Sequence, residues 1–577
     1  MPEQHTRTTA AQAPATFNLL DEPWLPVERV DGSSDTLSLL EVFSQSRQIT
    51  RFVGDLPLQD FALHRLLLAV LYGVLPGGAS DEVWKVLWNG EFPTAVTAYL
   101  ERYRHRFDLL DPEQPFYQVA GLTTAKGEMT GLERLILDVP NGHPFFTTRG
   151  GRGVTSISLA EAARWLVTAQ AYDPSGIKSG AIGDDRVSKG KGYPIGVAWA
   201  GHLGGLLITG RTLHETLLLN FVGQQVQADV QWKPSDRLDD VPVWQRPQPT
   251  AAATQGLNQP ADAVGSLRYF HGPATLYTWQ SRRIRLAVTG DRVTGVLIAN
   301  GDALKPQNAH QYEPMSAWRR SAPQEKKLNL ATVYMPLEHQ PDRALWRGIG
   351  QFLPVTTAET GSDRLSSLST RWLSHLKFGA EPPLLPDDQL VQLKAFGVVY
   401  GSNSSVVDEV ISDDLDLHLS LLSSRDPAVK GVLDSATALA DQGVAQLTSF
   451  AANIAQAAGQ PTDGPRQQAR ERAYELFDGA FREWVRRLTA ETARHSTALE
   501  SWKTTVGEVL RLTGDELIAD APPAAWAGRE VSSGPNGATQ LRNLPLADAW
   551  YRAAVYKLLN PGTKPQTIES SESRSDA

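Results

Sequence analysis

Residues 282–298 read RRIRLAVTGDRVTGVLI, and their spacing settles what kind of fold the middle of this chain can adopt. Ile284, Leu286 and Val288 alternate with polar or small neighbours, Thr289-Gly290-Asp291 turns the chain, and Val293 to Ile298 returns. A period of two around a glycine turn predicts a β-hairpin. Around it, from about Phe145 to Tyr400, glycine-rich polar loops separate short segments. Loops of that length in a compact domain are more often functional than idle. The middle region therefore reads as a mixed α+β body.

Toward the N-terminus the pattern changes to LQDFALHRLLLAVLYGVL, residues 58–75. Its nearly continuous apolar run predicts a helix buried on several sides, with Asp55 as cap and Pro57 in the first turn. Toward the C-terminus, beyond about residue 420, everything reads helical. Asp426-Pro427 starts a helix reaching about Ala458, and TDGPRQQ breaks the chain. Tyr474, Phe477, Phe481, Trp484 and Leu488 then recur at spacings of three and four. Leu499, Trp502, Val506 and Val509 repeat the pattern, as do Ala547, Trp550, Ala554 and Leu558 before the stop at Asn560-Pro561-Gly562. Four helices with seam-like apolar stripes predict a four-helix bundle.

The fold class is thus α+β: a large mixed N-terminal domain, 17–419, with short sheets and long loops, plus a C-terminal four-helix bundle, 420–562. Residues 1–16 and 563–577 are small and polar and read as disordered tails.

Composition narrows the function. With no cysteine in 577 residues, disulfides and thiolate metal sites are excluded. The N-terminus lacks the apolar core of a signal peptide, and the longest apolar run is far short of the ~20 residues that span a bilayer. The expectation is a cytoplasmic protein with no membrane partner. The net charge of −9 excludes a chain-wide basic coat for nucleic acid. Basic residues concentrate locally instead. Between Leu276 and Lys327 stand Arg282, Arg283, Arg285, Arg292, Lys305, Arg319, Arg320, Lys326 and Lys327 against four acids, and Gly142 to Tyr193 holds seven basic residues against four. Aromatics and glycines beside arginine are what stacking and phosphate contacts require, although an ordinary polar loop over core phenylalanines has the same composition.

Catalytic signatures are missing. No H-E-x-x-H, G-x-S-x-G or phosphate-loop spacing occurs, and SKGKGY at Ser188 to Tyr193 is glycine- and lysine-rich without that spacing. His64, on the apolar helix, reads as a core or edge histidine. The acidic run DEVISDDLDLH, Asp408 to His418, is the best metal candidate, against the alternatives of a solvated face or a partner surface. No cofactor is expected and the reading is of a non-enzyme.

The opening phrase FNLLDEPWLPV, Phe17 to Val27, resembles the N-terminal signature of the CasA family, the large subunit of the type I-E CRISPR surveillance complex Cascade. GDLPLQDFALHRLLLAVLYGVL, QPFYQVAG, NGHPFFTT, AARWLVTAQAYDPSGIKSG and TWQSRRIRL follow in the family's order, so that the resemblance covers roughly residues 17 to 562. It implies a subunit that recognises the protospacer-adjacent motif in double-stranded target DNA, promotes duplex opening and recruits a nuclease-helicase. Its other partners would be the remaining Cascade subunits and the guide CRISPR RNA. The family's docking loop falls on NGHPFFTTRGGRG, which assigns guide-RNA and complex docking to Phe145, Phe146, Arg149 and Arg152. Its glycine loop falls on DPSGIKSGAIG, giving Gly176, Lys178 and Gly180. Its basic groove finger falls near AWRRSAPQEKK, giving Arg319, Arg320, Lys326 and Lys327, the first two favoured. Its hairpin of an Asn and a wedge Gln falls on YGSNSSVVDE, where Asn403 is matched but Ser404 stands in place of the Gln. The cysteine cluster of some relatives is absent, so the hairpin around Ile284 must hold by packing alone. The rival readings are a metal-dependent hydrolase using Asp408 to Asp416 and a structural scaffold without DNA contact.

Overall fold

The computed structural model describes residues 16–139, 147, 155–229, 239–254, 272–354, 362–386, 389–424, 426–532 and 539–561. The chain forms two compact units: Met1–Leu345 with Gln351–Arg425, and Trp346–Gly350 with Asp426–Ala577.

The larger unit is mixed α+β, with small antiparallel sheets among helices and long loops. The opening phrase folds as a turn into a strand. Asn18 C=O accepts the amides of Asp21 and Glu22, and Leu25–Arg29 then pairs with both Ser34–Leu37 and Ile49–Phe52. Trp24, between its prolines, is fully buried, and its indole N–H donates to Leu19 C=O at 3.0 Å. A buried indole needs that partner, and the turn supplies it.

The apolar helix spans Pro57–Val74 and is buried along most of its length. Asp55 is not its cap; the N-cap is Leu56, which has no side-chain cap hydrogen bond. Polarity is reversed at this end: Asp60 and Gln59 in the first turn reach back and accept the amides of Gly54 and Asp55. His64 is buried and its Nδ1 faces the Asp60 carbonyl at 2.7 Å, a core histidine as expected. The next residue, buried Arg65, pairs with buried Glu313, Nη1 to Oε1 at 2.8 Å. Tyr277 lies 4.2 Å beneath the guanidinium, and Trp199 Nε1 and Met315 N also donate to the carboxylate. A buried pair needs such extra partners to offset desolvation.

The hairpin at residues 282–298 is present as Arg282–Thr289 paired with Arg292–Asn300, joined by Ile157–Ser158. Ile284 and Leu286 face the core as the alternation requires, but Val288 is 39% exposed. The register shifts between Ala287 and Val288, leaving Thr294 of the returning strand unpaired, and Val288 stands only one residue pair from the turn of the hairpin. Packing is not the whole of what holds the hairpin, because Arg282 and Arg283 at its base are buried and paired with Asp173 and Asp302. The acidic run 408–418 is also a strand. Val407–His418 pairs with Leu390–Tyr400, which pairs in turn with Gly205–Thr209.

In the smaller unit, Pro427–Ala458 packs against Asp463–Arg486, Ser496–Ala519 and Leu544–Leu559. Asp426 caps the first of these by accepting the Ala428 amide at 2.8 Å, and Gly459 at φ 76° ends it. Phe477, Phe481, Trp502 and Val506 are buried, and Trp346 stacks on Phe481 at 4.6 Å. Two stripes differ from expectation. Trp484 is only half-buried, its indole donating to Ala498 C=O at 3.1 Å. In Leu544–Leu559 the buried positions are Leu544, Ala547 and Tyr551, while Trp550 is 37% exposed under the Arg542 guanidinium. Tyr551 takes the seam because its ring stacks on Phe450 at 4.5 Å and its hydroxyl reaches Leu510 C=O. Gly514 leaves the room: a Cβ there would sit 2.6 Å from the Tyr551 ring. The short hairpin Arg529–Ser532 with Thr539–Arg542 carries no signal that the sequence reading used.

Candidate nucleic-acid interface

Helix Leu159–Tyr172 ends at Asp173, and the loop Asp173-Pro174-Ser175-Gly176 leaves it. Arg282, 1% exposed, anchors this loop from beneath. Its Nε donates to the Asp173 carboxylate, and Nη2 donates to the carbonyls of Asp173, Pro174 and Gly196 at 2.9 to 3.1 Å. The Gln170 side chain binds both backbone groups of Arg282 at 2.9 Å, holding the arginine in turn. Lys178 closes the same cluster, with Nζ 2.5 Å from Asp173 Oδ2. Burial, helped by the neighbouring Arg282 and Arg134 charges and opposed by Asp173, pushes the Lys178 ammonium down to about 8. The charge of Lys178 is therefore spent inside the protein.

The two glycines of the loop serve internal close approach. A Cβ on Gly176 would lie 3.1 Å from Ser405 C=O, and one on Gly180 would lie 2.6 Å from the Gly190 carbonyl. Lys178–Ser179 pairs with Lys191–Gly192 in a two-stranded sheet that carries this contact.

The tip of the long hairpin meets the glycine loop. Ser175 N–H donates to Ser404 C=O at 2.7 Å, and Tyr400 Oη donates to Tyr172 C=O at 2.7 Å. At the tip, Asn403 and Ser404 both stand in the left-handed region, φ 54° and 52°. Two consecutive non-glycine residues there are uncommon and mark a conformation imposed by the surroundings. Asn403 is exposed and Ser404 half-buried. Beside them opens a cavity of about 450 Å³ bounded by Arg134, Ile136, Gly176, Ile177, Ser405 and Val406. Arg134 at its edge is exposed, and its side chain has no hydrogen-bond or ion-pair partner among the described residues.

The groove-finger residues lie elsewhere. Trp318–Arg320 is the central strand of a separate sheet with Tyr334–Pro336 and Arg364–Leu365, followed by helix Ala322–Leu328. The side chains of Arg319, Lys326 and Lys327 are exposed and without a hydrogen-bond or ion-pair partner among the described residues. Arg320 pairs with Glu325 at 2.6 Å. None of the four forms a hydrogen bond or ion pair with the glycine loop or the hairpin tip. Phe145, Phe146, Arg149 and Arg152 lie outside the described residues.

The basic count between Leu276 and Lys327 thus does not translate into one surface. Arg282 and Arg283 are internal, Arg285 donates to Leu122 C=O, and Arg292 is tied to Ser156. Asp173, Arg282 and Arg134 escaped the sequence reading as site residues. No motif or periodicity marks them, because their partners are remote in sequence. The acidic strand does not gather a metal site: successive side chains of a strand point to opposite faces. Asp413 accepts the Leu345 amide, Asp416 accepts from Gln392, and among the described residues no three His, Asp or Glu converge.

Fold and site together define a class: a two-unit α+β protein whose candidate surface is a braced glycine loop against a hairpin tip. The chain belongs to the CRISPR-associated protein Cse1 family, whose sequence profile matches residues 18–512. It is 31% identical over 342 residues to the CRISPR-associated protein CasA/Cse1 of Thermus thermophilus, a match spanning 59% of this chain and 60% of that relative's length. The crystal structure of Thermobifida fusca Cse1 is 41% identical with a TM-score of 0.83, covering 94% of this chain and 98% of that one. A chain of a CRISPR RNA-guided surveillance complex shares the fold at 16% identity and a TM-score of 0.66, over 94% of this chain and 100% of its own.

Proposed function

We propose that this chain is the non-catalytic large subunit of a guide-RNA-loaded Cascade complex, recognising the protospacer-adjacent motif in double-stranded DNA and promoting duplex opening. The observation that carries the reading is the Ser175–Ser404 hydrogen bond, which joins the glycine loop to the tip bearing exposed Asn403. A reader of this kind suits a minor groove, which distinguishes little beyond A·T from G·C, while guide pairing reads the sequence. In this reading Arg319, Lys326 and Lys327 supply groove or phosphate cations, and Gly176, Lys178 and Gly180 shape the loop instead of touching DNA. Phe145, Phe146, Arg149 and Arg152 dock on the guide RNA and its protein neighbours. The C-terminal unit acts as a four-helix bundle that braces the displaced strand and receives the nuclease-helicase; exposed Trp526 and Leu541 offer a protein-facing surface there. The site of action is the cytoplasm, without a membrane.

The test is to purify the complex with and without this chain and compare duplexes that differ only in the flanking motif. Motif dependence that disappears with the chain supports the reading. Motif dependence that survives without it assigns the chain to a scaffold.

A further inference from the structure

The turn Ser188-Lys189-Gly190-Lys191 hangs from the same two-stranded sheet as the glycine loop. Its backbone is closed by a narrow pair of hydrogen bonds, Ser188 N–H to Lys191 C=O and Lys191 N–H to Ser188 C=O, both 3.0 Å. Lys189 and Gly190 both have positive φ, 51° and 71°. That is the mirror-image hairpin turn, in which Asn-Gly is the favoured pair and lysine at the first position carries a backbone cost. The base is fixed: Asn300 Nδ2 donates to Tyr193 C=O at 2.7 Å, and Gly192 is packed so closely on that amide that a Cβ would stand 2.9 Å from it.

From this rigid base the Lys189 and Lys191 side chains project exposed, with no partner among the described residues, and Tyr193 is 50% exposed beside them. Of the nearby acids, Asp184 is buried and paired with Arg186 at 2.8 Å, and Asp185 is exposed. Two unpaired lysines are thus held on a strained turn in a chain of net charge −9. Backbone strain of this kind concentrates where function requires a particular side chain.

We propose that Lys189 and Lys191 contact the sugar–phosphate backbone of the target duplex beside the segment that faces the glycine loop, with the Tyr193 ring against the adjoining sugars. This rests on the DNA-recognition reading above, which assigns the glycine loop to the duplex. The contact sets affinity and register and carries no sequence information, since phosphates are the same at every step.

The experiment uses the complete guide-RNA-loaded complex carrying Lys189→Asn with Lys191→Gln. Asn suits the positive φ, so the fold is not the casualty of this change. Each lost phosphate contact removes roughly 0.9 from the slope of log affinity against log salt. The expected result is a slope about two units shallower, with matched and altered motifs weakened by the same factor. Lys189→Arg with Lys191→Arg restores both slope and affinity. An unchanged slope overturns the proposal, as does a changed ratio between motifs, which would make the turn a sequence reader. Loss of the chain from the complex, or weaker guide-RNA retention, overturns it in favour of an RNA or subunit contact. Failure of the underlying reading is separate: it shows in the parent complex, as equal binding to all motifs.

Discussion

The two units of this protein differ in where they place ion pairs. The larger unit has exposed pairs, such as Arg51–Glu28 and Arg320–Glu325, but it also buries several. Arg65 with Glu313, Arg282 with Asp173 and Arg283 with Asp302 are all nearly inaccessible pairs, and the first joins residues 248 positions apart in sequence. The smaller unit keeps its pairs outside, many of them one helical turn apart, as in Lys430–Asp434, Arg482–Asp478 and Arg552–Asp548. Exposed pairs of that spacing add only a few tenths of a kcal/mol each. One unit is therefore held partly by specific polar links, the other by an apolar seam.

The difference is sharpest for single-partner removal. Arg65→Met should destabilise the larger unit by about 3–5 kcal/mol, because it leaves Glu313 buried without its counter-charge. Arg552→Ala should cost the smaller unit less than about 1 kcal/mol. Denaturant unfolding monitored by segment-resolved hydrogen exchange measures both. Equal costs would erase the distinction.

Within the seam of the smaller unit, Trp502→Ala should cost about 3–5 kcal/mol, since its ring is fully buried and its indole N–H donates to Ala436 C=O at 2.8 Å. Trp484→Ala should cost roughly half as much or less, its ring being half-exposed. The same exchange experiment ranks them, and a reversed order would mean that Trp484 carries the seam.

Acid should separate the units with a net effect on the order of a few kcal/mol. Burial in the larger unit pushes His64, His202, His214 and His310 down to about 4. The folded unit holds them neutral, so their contribution is present above pH 6.5 and is lost as the pH falls toward 4. Burial pushes Asp60 and Asp240 up to about 6, which works the other way: their contribution grows as the pH falls from 6 toward 3.8. The four histidines outweigh the two carboxyls. Exchange protection should therefore be lost first in the larger unit between pH 6.5 and 4. Simultaneous loss in both units would show that these buried groups do not control acid unfolding.

The same contrast explains what the sequence made legible. The Asp426-Pro427 start and the Phe477–Phe481 stripe followed from local spacing, and so did the hairpin turn at Gly290, because turn chemistry and periodicity are local. The register of Tyr551 over Trp550 was not legible, since it depends on the space beside Gly514 in another helix. The register shift at Val288 leaves no pattern. In the site, the family resemblance led to Gly176 and Asn403, whereas Asp173 and Arg282 were invisible as a pair: 109 residues separate two side chains that share a hydrogen bond. Counting charges along the chain even placed Arg282 and Arg283 on the wrong side of the surface.

The changes most informative for function lie at the hairpin tip, where the expected cost to the fold is small. Asn403→Ala puts a residue without a local amide at φ 54°, a conformational cost of about 1–2 kcal/mol. Asn403→Gly removes the same amide while suiting that φ, so the pair separates side chain from backbone. If the Asn403 amide takes part in opening the first base pairs, both changes should slow opening of a matched duplex, read by a fluorescent base analogue beside the motif. If only Asn403→Ala slows it, the tip conformation is what matters. Ser404→Gln should keep or speed opening, because a longer amide fills a base-pair gap better than a hydroxymethyl group, and its backbone carbonyl remains available to Ser175. A pre-melted bubble removes the opening cost, so every variant should match the parent there. Poor binding by Asn403→Gly on bubble and duplex alike would make Asn403 a general contact. Unchanged opening in all three variants would move the wedge away from this tip and leave the smaller unit, or Arg319 on its separate sheet, as the place to look.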